Sequence, residues 1–243
     1  MKVTRNMCLL PRAAWAGAAA ALVACSPSHD ETALFPLEPG QVWDYQVTTE
    51  IDGEPARREA LTLHALEAAD LGGQPAARRR SSTGAEYWLR RDETGIYRVA
   101  ARSELEAEPT PDPARRYVLK QPYKPGTQWQ AATTAYLLER HADFPREIRH
   151  THPSIPMLYT IESTTERITT AAGQWSGCVR VKGTATVRLF ADPTSGWRDL
   201  PLTTLEWYCP GVGLVRLERQ EPVKSAFLSG GVLKMELMSW RAE

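Results

Sequence analysis

The chain has 243 residues, its 29 Lys and Arg are balanced by 29 Asp and Glu, and its mean hydropathy is −0.39. This balance argues against nucleic acid as a partner, because nucleic-acid-binding proteins concentrate positive charge. If the N-terminal leader described below is removed, the remaining length suits one large β domain or two small ones.

The N-terminus has the features of a bacterial export signal. Lys2, Arg5 and Arg12 form a basic region, and the apolar run at 13–23 is too short to span a bilayer. The segment ends in Leu22-Val-Ala-Cys25, which resembles the lipobox of bacterial lipoproteins. That resemblance implies cleavage before Cys25 and acylation of its thiol and new amine, which anchors the protein in a membrane. The alternative is an ordinary secretory peptide that contains a cysteine.

These features predict three regions. Residues 1–24 are a lipoprotein signal peptide, residues 25–34 a flexible lipidated tether, and residues 35–243 one β domain, with two lobes divided near 107–114 as a variant. Ser26 follows the lipidated cysteine, and in enteric-type sorting a residue other than Asp there implies an outer-membrane location facing the periplasm. The predicted envelope protein is therefore bound to the membrane through its lipid anchor.

Two cysteines remain after the leader and the anchor are set aside. Cys8 leaves with the signal peptide and Cys25 is lipidated, so Cys178 and Cys209 are left. An even pair in an oxidising periplasm predicts a disulfide. Two buried free thiols are the alternative, and a zinc site is disfavoured because no CxxC spacing is present.

Alternating patterns predict strands from the start of the domain. Trp43, Tyr45 and Val47 alternate with polar residues, and Asp52-Gly53 marks a hairpin turn. The return segment at 56–66 is predicted as a strand, although residues 59–71 are also rich in helix formers. A second hairpin is predicted at 85–102, turning at Glu93-Thr-Gly95.

Seven arginines cluster around this second hairpin: Arg78, Arg79, Arg80, Arg90, Arg91, Arg98 and Arg102. One interpretation is a site for anionic lipid headgroups or another polyanion of the envelope. The favoured interpretation is a solvated strand face whose charge is compensated by Glu104, Glu106, Glu108 and Asp112. The Pro-rich segment 107–114 is expected to be a connector outside the sheet.

The second half shows the same β pattern more continuously. A long irregular excursion is expected at 139–156. Strands then turn at Ala172-Gly173, at 192–196 and at Gly230-Gly231, and the segment 204–219 is the clearest strand–turn–strand unit. The whole pattern predicts an all-β protein with little helix, whose ten to twelve antiparallel strands form a half-open barrel or a sandwich.

Four motifs carry a resemblance over most of residues 35–240: Phe35-Pro-Leu-x-x-Gly-x-x-Trp-x-Tyr, Gly126-x-x-Trp129, Ala172-Gly-x-Trp-x-x-Cys-x-x-Val181 and Trp207-Tyr-x-Pro-Gly-Val-Gly-Leu-Val215. They resemble a group of bacterial envelope proteins related to the lipoprotein-localisation (LolA/LolB-like) superfamily. The resemblance implies an incompletely closed antiparallel barrel whose concave side holds acyl chains.

Catalytic and cofactor motifs are missing from the sequence. No GxSxG, SxxK, HExxH, GxGxxG, Walker A or EF-hand spacing occurs, so no enzyme activity and no cofactor are predicted. A weak metal-site candidate combines His141, His150 and His152 with Glu139, Asp143 and Glu147. Solvated loop histidines are the more ordinary interpretation.

Two hypotheses for function remain. The first is a lipoprotein that binds a lipid or another hydrophobic ligand in its concave sheet, and the candidate lining residues are the aromatic ones: Trp43, Tyr45, Trp88, Trp129, Trp175 and Trp207. These residues are also expected to fill the core. The second hypothesis is a structural or assembly lipoprotein that binds an envelope protein through a sheet edge or an apolar patch.

Overall fold

The fold is seen in a computed structural model that describes residue 30 and residues 32–141 and 148–242. One short 3-10 helix, Ile148–His150, lies between the strands. The strands, in chain order, are β1 Gln41–Ile51, β2 Arg57–Asp70, β3 Pro75–Ser81, β4 Glu86–Asp92, β5 Gly95–Arg102, β6 Thr110–Lys120, β7 Gln128–Thr133, β8 Glu139–Arg140, β9 Ile155–Thr170, β10 Gly173–Asp192, β11 Gly196–Cys209, β12 Gly213–Glu221, β13 Leu228–Ser229 and β14 Gly231–Ala242.

Twelve strands form one antiparallel sheet in the order β6-β5-β4-β3-β2-β1-β14-β12-β11-β10-β9-β7. The edge strands β6 and β7 contact each other across a seam but have no hydrogen-bonded ladder between them. The sheet therefore curls into a nearly closed barrel, and the predicted all-β, half-open architecture is confirmed. β8 and β13 form a separate two-stranded ladder.

Local turn chemistry explains the hairpins that the sequence predicts. Asp52-Gly53 joins β1 to β2, and the unit at 204–219 is β11, a turn and β12. Gly211 and Gly213 in that turn have φ of 77° and 90°, which a side chain would disfavour. Residues 57–66 of the predicted return segment 56–66, for which helix was the alternative, belong to strand β2, and its alternate residues Leu61, Leu63 and Ala65 pack in a core cluster.

The Pro-rich segment 107–114 corrects one expectation. Residues from Thr110 onward belong to strand β6, and Pro111 lies opposite Ala100 of β5. The sheet accepts Pro111 and Pro113 because β6 is an edge strand, where one side of the strand needs no ladder partner. Strands from both sides of this segment share one sheet.

The predicted tether also joins the fold earlier than expected. Ala33 is buried, and its carbonyl accepts a hydrogen bond from Gly211 N at 3.0 Å. The described residues do not include the signal peptide, Cys25 or the tether residues 26–29 and 31. Within the described part of the chain, no helix has the length and hydropathy needed to cross a membrane.

Candidate functional site

A disulfide joins Cys178 at the start of β10 to Cys209 at the end of β11. Both cysteines are fully buried, and the bridge links neighbouring strands over a sequence separation of 31 residues. The structure therefore contains the predicted bridge.

The aromatic candidates divide into two groups by position, and the first group joins β1 to the turn between β11 and β12. Trp43 Nε1 donates to Val212 O at 2.7 Å, and Tyr45 OH donates to Leu214 O at 2.8 Å. Trp207 packs in the same buried cluster. The first and last sequence motifs thus bind each other, which gives their shared aromatic residues a structural role.

Arg79 is the buried centre of this contact. Its guanidinium lies 4.1 Å from the ring centroids of both Phe35 and Trp43, and Nη2 donates to Pro36 O at 2.8 Å. Burial lowers the pKa of Arg79 to about 10. This cation–π sandwich fixes Phe35 against one end of the barrel.

The second group lies elsewhere in the sheet. Trp129 on β7 is buried and stacks on Tyr159 of β9, with ring centroids 5.6 Å apart. Trp88 belongs to a small cluster with Ala76 and Ala100, and Trp175 is partly buried beside the disulfide cluster. None of the six predicted aromatic residues lines the barrel cavity described below.

The metal candidates are only partly described. His141 Nδ1 lies 3.0 Å from Ala226 O, and His152 Nδ1 lies 3.0 Å from Thr151 Oγ1. Asp143, Glu147 and the His150 side chain lie outside the described residues. Among the residues that the structure does describe, no three His, Cys, Asp or Glu side chains are grouped as metal ligands.

Most of the clustered arginines are engaged inside the protein. Glu86, whose side chain is fully buried, accepts from Arg78, Arg80 and Arg102 at 2.6–2.9 Å, so it is the main compensating acid. Asp112 pairs with Arg98, as the sequence predicted. The buried side chain of Glu86 was not recognisable from the sequence, because adjacent strands had to bring the three arginines around it.

A cavity of about 430 Å³ lies inside the barrel, within the usual range for small-ligand sites. Its lining comes from strands all around the barrel, including both edges: Val47, Leu61, Tyr87, Arg116, Thr133, Tyr136, Tyr159, Thr204, Glu206, Leu217, Arg219, Leu233 and Met235. A second hollow of about 490 Å³, at residues 74–77 and 89–92, is formed by neighbouring strands on one side and is a more open groove.

Strand register gives the barrel cavity two chemically different sides. In the strand register, Met235 of β14 lies between Val47 of β1 and Leu217 of β12. Leu217 in turn lies opposite Glu206 of β11. The side chains that we call the apolar wall are all only half-buried: Val47, Leu61, Leu217, Leu233 and Met235. The cavity is therefore amphipathic.

The polar side contains a carboxylate with an unusual environment. Glu206 Oε2 accepts a hydrogen bond from Tyr208 OH at 2.5 Å. Burial raises the pKa of Glu206, and the nearby charges of Arg219 and Arg116 oppose that rise. Its side chain still keeps some accessible surface, because it faces the cavity rather than a packed core.

Gly183 allows Tyr159 to form part of the cavity wall. A Cβ atom at Gly183 would lie 2.6 Å from Thr204 Cγ2, 2.7 Å from Met157 Sδ and 2.9 Å from Tyr159 Cε1. Glycine in a strand interior commonly marks such a close approach. The ring of Tyr159 therefore approaches Gly183 closely and also stacks on Trp129.

A charged clamp formed by Glu221 and Arg219 fixes the segment 134–138, which follows strand β7. Glu221 is fully buried and accepts hydrogen bonds from the backbone N–H groups of Tyr136, Leu137 and Leu138 at 2.9–3.1 Å. Arg219 Nε pairs with the same carboxylate at 2.8 Å, and Arg219 Nη2 donates to Thr134 O at 3.0 Å. Tyr136, which lines the cavity and is 54% exposed, is held at its mouth by this clamp.

Comparison with known proteins gives a limited likeness. No family model matches the chain, and no curated protein matches it. A solved structure from Parabacteroides distasonis, described as a candidate lipoprotein, is 16% identical with a TM-score of 0.46 and covers 86% of this chain and 99% of its own. A candidate exported protein with a YmcC-like fold from Bacteroides fragilis is 14% identical with a TM-score of 0.35 and covers 85% of this chain and 98% of its own.

Proposed function

We propose that this protein is an envelope lipoprotein that binds a lipid or another hydrophobic ligand inside its half-open barrel. The observation that carries the proposal is the apolar wall of Val47, Leu61, Leu217, Leu233 and Met235, whose half-buried side chains line an open cavity. Half-buried aliphatic side chains surround a hollow of about 430 Å³. Binding of an apolar ligand would remove them from water, which lowers the free energy of the complex.

The proposed location rests on the N-terminal signal and on the disulfide. The lipobox-like end at Leu22–Cys25 supports an acyl anchor, and the Cys178–Cys209 bridge suits an oxidising compartment. Outer-membrane attachment facing the periplasm is part of the same proposal and rests on Ser26. Such an anchor would hold the barrel close to its source of lipid.

The first test is binding of the neutral apolar fluorophore N-phenyl-1-naphthylamine. We expect saturable binding, weakened about tenfold or more by Met235→Glu, because the substitution replaces an apolar contact with a charge that must be desolvated. The measurement is a fluorescence titration of the chain from Ser26 onward, which retains all strands of the barrel.

The matched control is Met238→Glu on the same strand, where the side chain is 42% exposed and lies outside the cavity lining. Equal binding by both variants would contradict the proposal. Thermal unfolding of each variant shows whether it remains folded, and Met235→Gln replaces Met235→Glu if the charged variant unfolds early.

One observation favours the alternative of binding an envelope protein. Phe190 and Trp197 face each other at the tip of the β10–β11 hairpin, with ring centroids 6.0 Å apart. They are 41% and 62% exposed and lie outside the cavity lining. Exposed aromatic pairs are common at protein interfaces, so this tip is where a protein partner would bind under the second hypothesis.

A further inference from the structure

Arg116 stands out among the residues that line the cavity because its guanidinium has no hydrogen-bonded or ion-paired partner in the described part of the chain. It lies on edge strand β6, opposite Arg98 of β5 in the strand register. Asp112, on the same strand, is occupied by Arg98 through two hydrogen bonds of 2.6 and 2.7 Å. Within the described part of the chain, Arg116 has neither a hydrogen bond nor an ion pair, although it is partly buried.

The other charges of the cavity are already engaged. Arg219 pairs with Glu221, and Glu206 accepts from Tyr208. Glu206 and Tyr159 interact electrostatically with Arg116, but among the described residues neither forms a hydrogen bond or an ion pair with it. Of the three charged side chains that line the cavity, Arg116, Glu206 and Arg219, Arg116 is the one whose hydrogen-bonding groups are left free by the residues that the structure describes.

We infer that the cavity binds a single-chain amphiphile with an anionic headgroup, carboxylate or phosphate, with the headgroup on Arg116 and the chain against the apolar wall. This inference deepens the proposed function and rests on it. A planar guanidinium with free N–H donors matches either headgroup, and its hydrogen bonds strengthen where water is partly excluded. The cavity volume of about 430 Å³ suits one chain better than several.

The test compares headgroups on one chain length. Decanoate, monodecyl phosphate, decanol and decyltrimethylammonium each displace N-phenyl-1-naphthylamine from the chain that begins at Ser26, which also lacks acyl groups of its own. We expect one or both anions to bind about tenfold or more tightly than decanol, and the cation to bind most weakly. The two anions distinguish a carboxylate from a phosphate source.

Arg116→Gln should remove this preference, bringing the anion that bound more tightly to within about threefold of decanol. Arg116→Lys should keep part of it, because the charge remains while the planar donor pair is lost. The matched control is Arg115→Gln on the same strand. Arg115 is half-exposed, pairs with Asp92 at 2.7 Å and does not line the barrel cavity.

The possible failures are distinguishable. Decanol binding as tightly as both anions, or an Arg116→Gln variant that keeps the preference, would overturn this inference and leave the proposed function intact. Absence of binding by the fluorophore and by all four amphiphiles would overturn both. If inorganic phosphate displaced the fluorophore as effectively as monodecyl phosphate does, the inference would also be overturned, because the decyl chain would then contribute nothing to binding. If Arg116→Gln fails to fold, the headgroup series on the unmutated chain decides.

Discussion

Replacing Glu221 by glutamine is expected to lower the free energy of unfolding by about 3 kcal/mol. The carboxylate is fully buried and accepts three backbone N–H groups as well as the Arg219 guanidinium. An amide has one acceptor oxygen where the carboxylate has two, and its NH₂ group would face donors. The substitution also leaves Arg219, which is 3% exposed, without its counter-charge.

The measurement is urea unfolding of the two proteins, with Glu218→Gln as the matched control on the same strand. Glu218 is only partly buried and faces a separate groove, so its replacement should change the stability by less than about 0.5 kcal/mol. A cycle with Arg219→Gln should show strong coupling between the two charges. Equal effects of the Glu221 and Glu218 substitutions would contradict the role assigned to the clamp.

Removing the disulfide is the second large effect that we expect. The double variant Cys178→Ala/Cys209→Ala should lose about 3–4 kcal/mol of stability, because the bridge closes a loop of intermediate length and thereby restricts the unfolded chain. The separation of 31 residues sets that magnitude. Both sulfurs lie in a buried cluster with Trp207 and Val215, so the alanines also leave a small void.

Urea unfolding with and without reductant measures this loss. Dithiothreitol should destabilise the unmutated chain by a similar amount and leave the double variant unchanged. Alkylation in denaturant without reductant should label neither cysteine of the chain from Ser26 onward, which contains only these two. Labelling of both, with a reductant-independent stability, would show that the thiols are free.

Local chemistry made the sheet predictable. Strand alternation at Trp43–Val47 and the Pro210–Gly213 turn are encoded within a few residues, and they appear as strand and turn in the structure. Two local expectations were wrong for a non-local reason. Whether Pro111 can join a strand depends on that strand being an edge, and whether Ala33 is buried depends on the distant Gly211 turn.

Local sequence patterns did not predict the cavity. Leu217 and Met235 alternate like any core residue, and only the closure of the barrel shows that they face a hollow. Large aromatic side chains were the natural candidates for a ligand site, but Trp43 and Tyr45 instead donate hydrogen bonds to the carbonyls of Val212 and Leu214. In the sequence Arg116 cannot be told from a surface arginine. Only the structure shows that Asp112 pairs with Arg98 and not with Arg116.

Native mass spectrometry of the chain from Ser26 onward, exported to the periplasm and purified without detergent, tests ligand binding in the barrel most directly. The proposal predicts an added mass that denaturation releases as an amphiphile, present with Met238→Glu and reduced or lost with Met235→Glu. A bare mass that stays unchanged after incubation with phospholipid and with decanoate would contradict it.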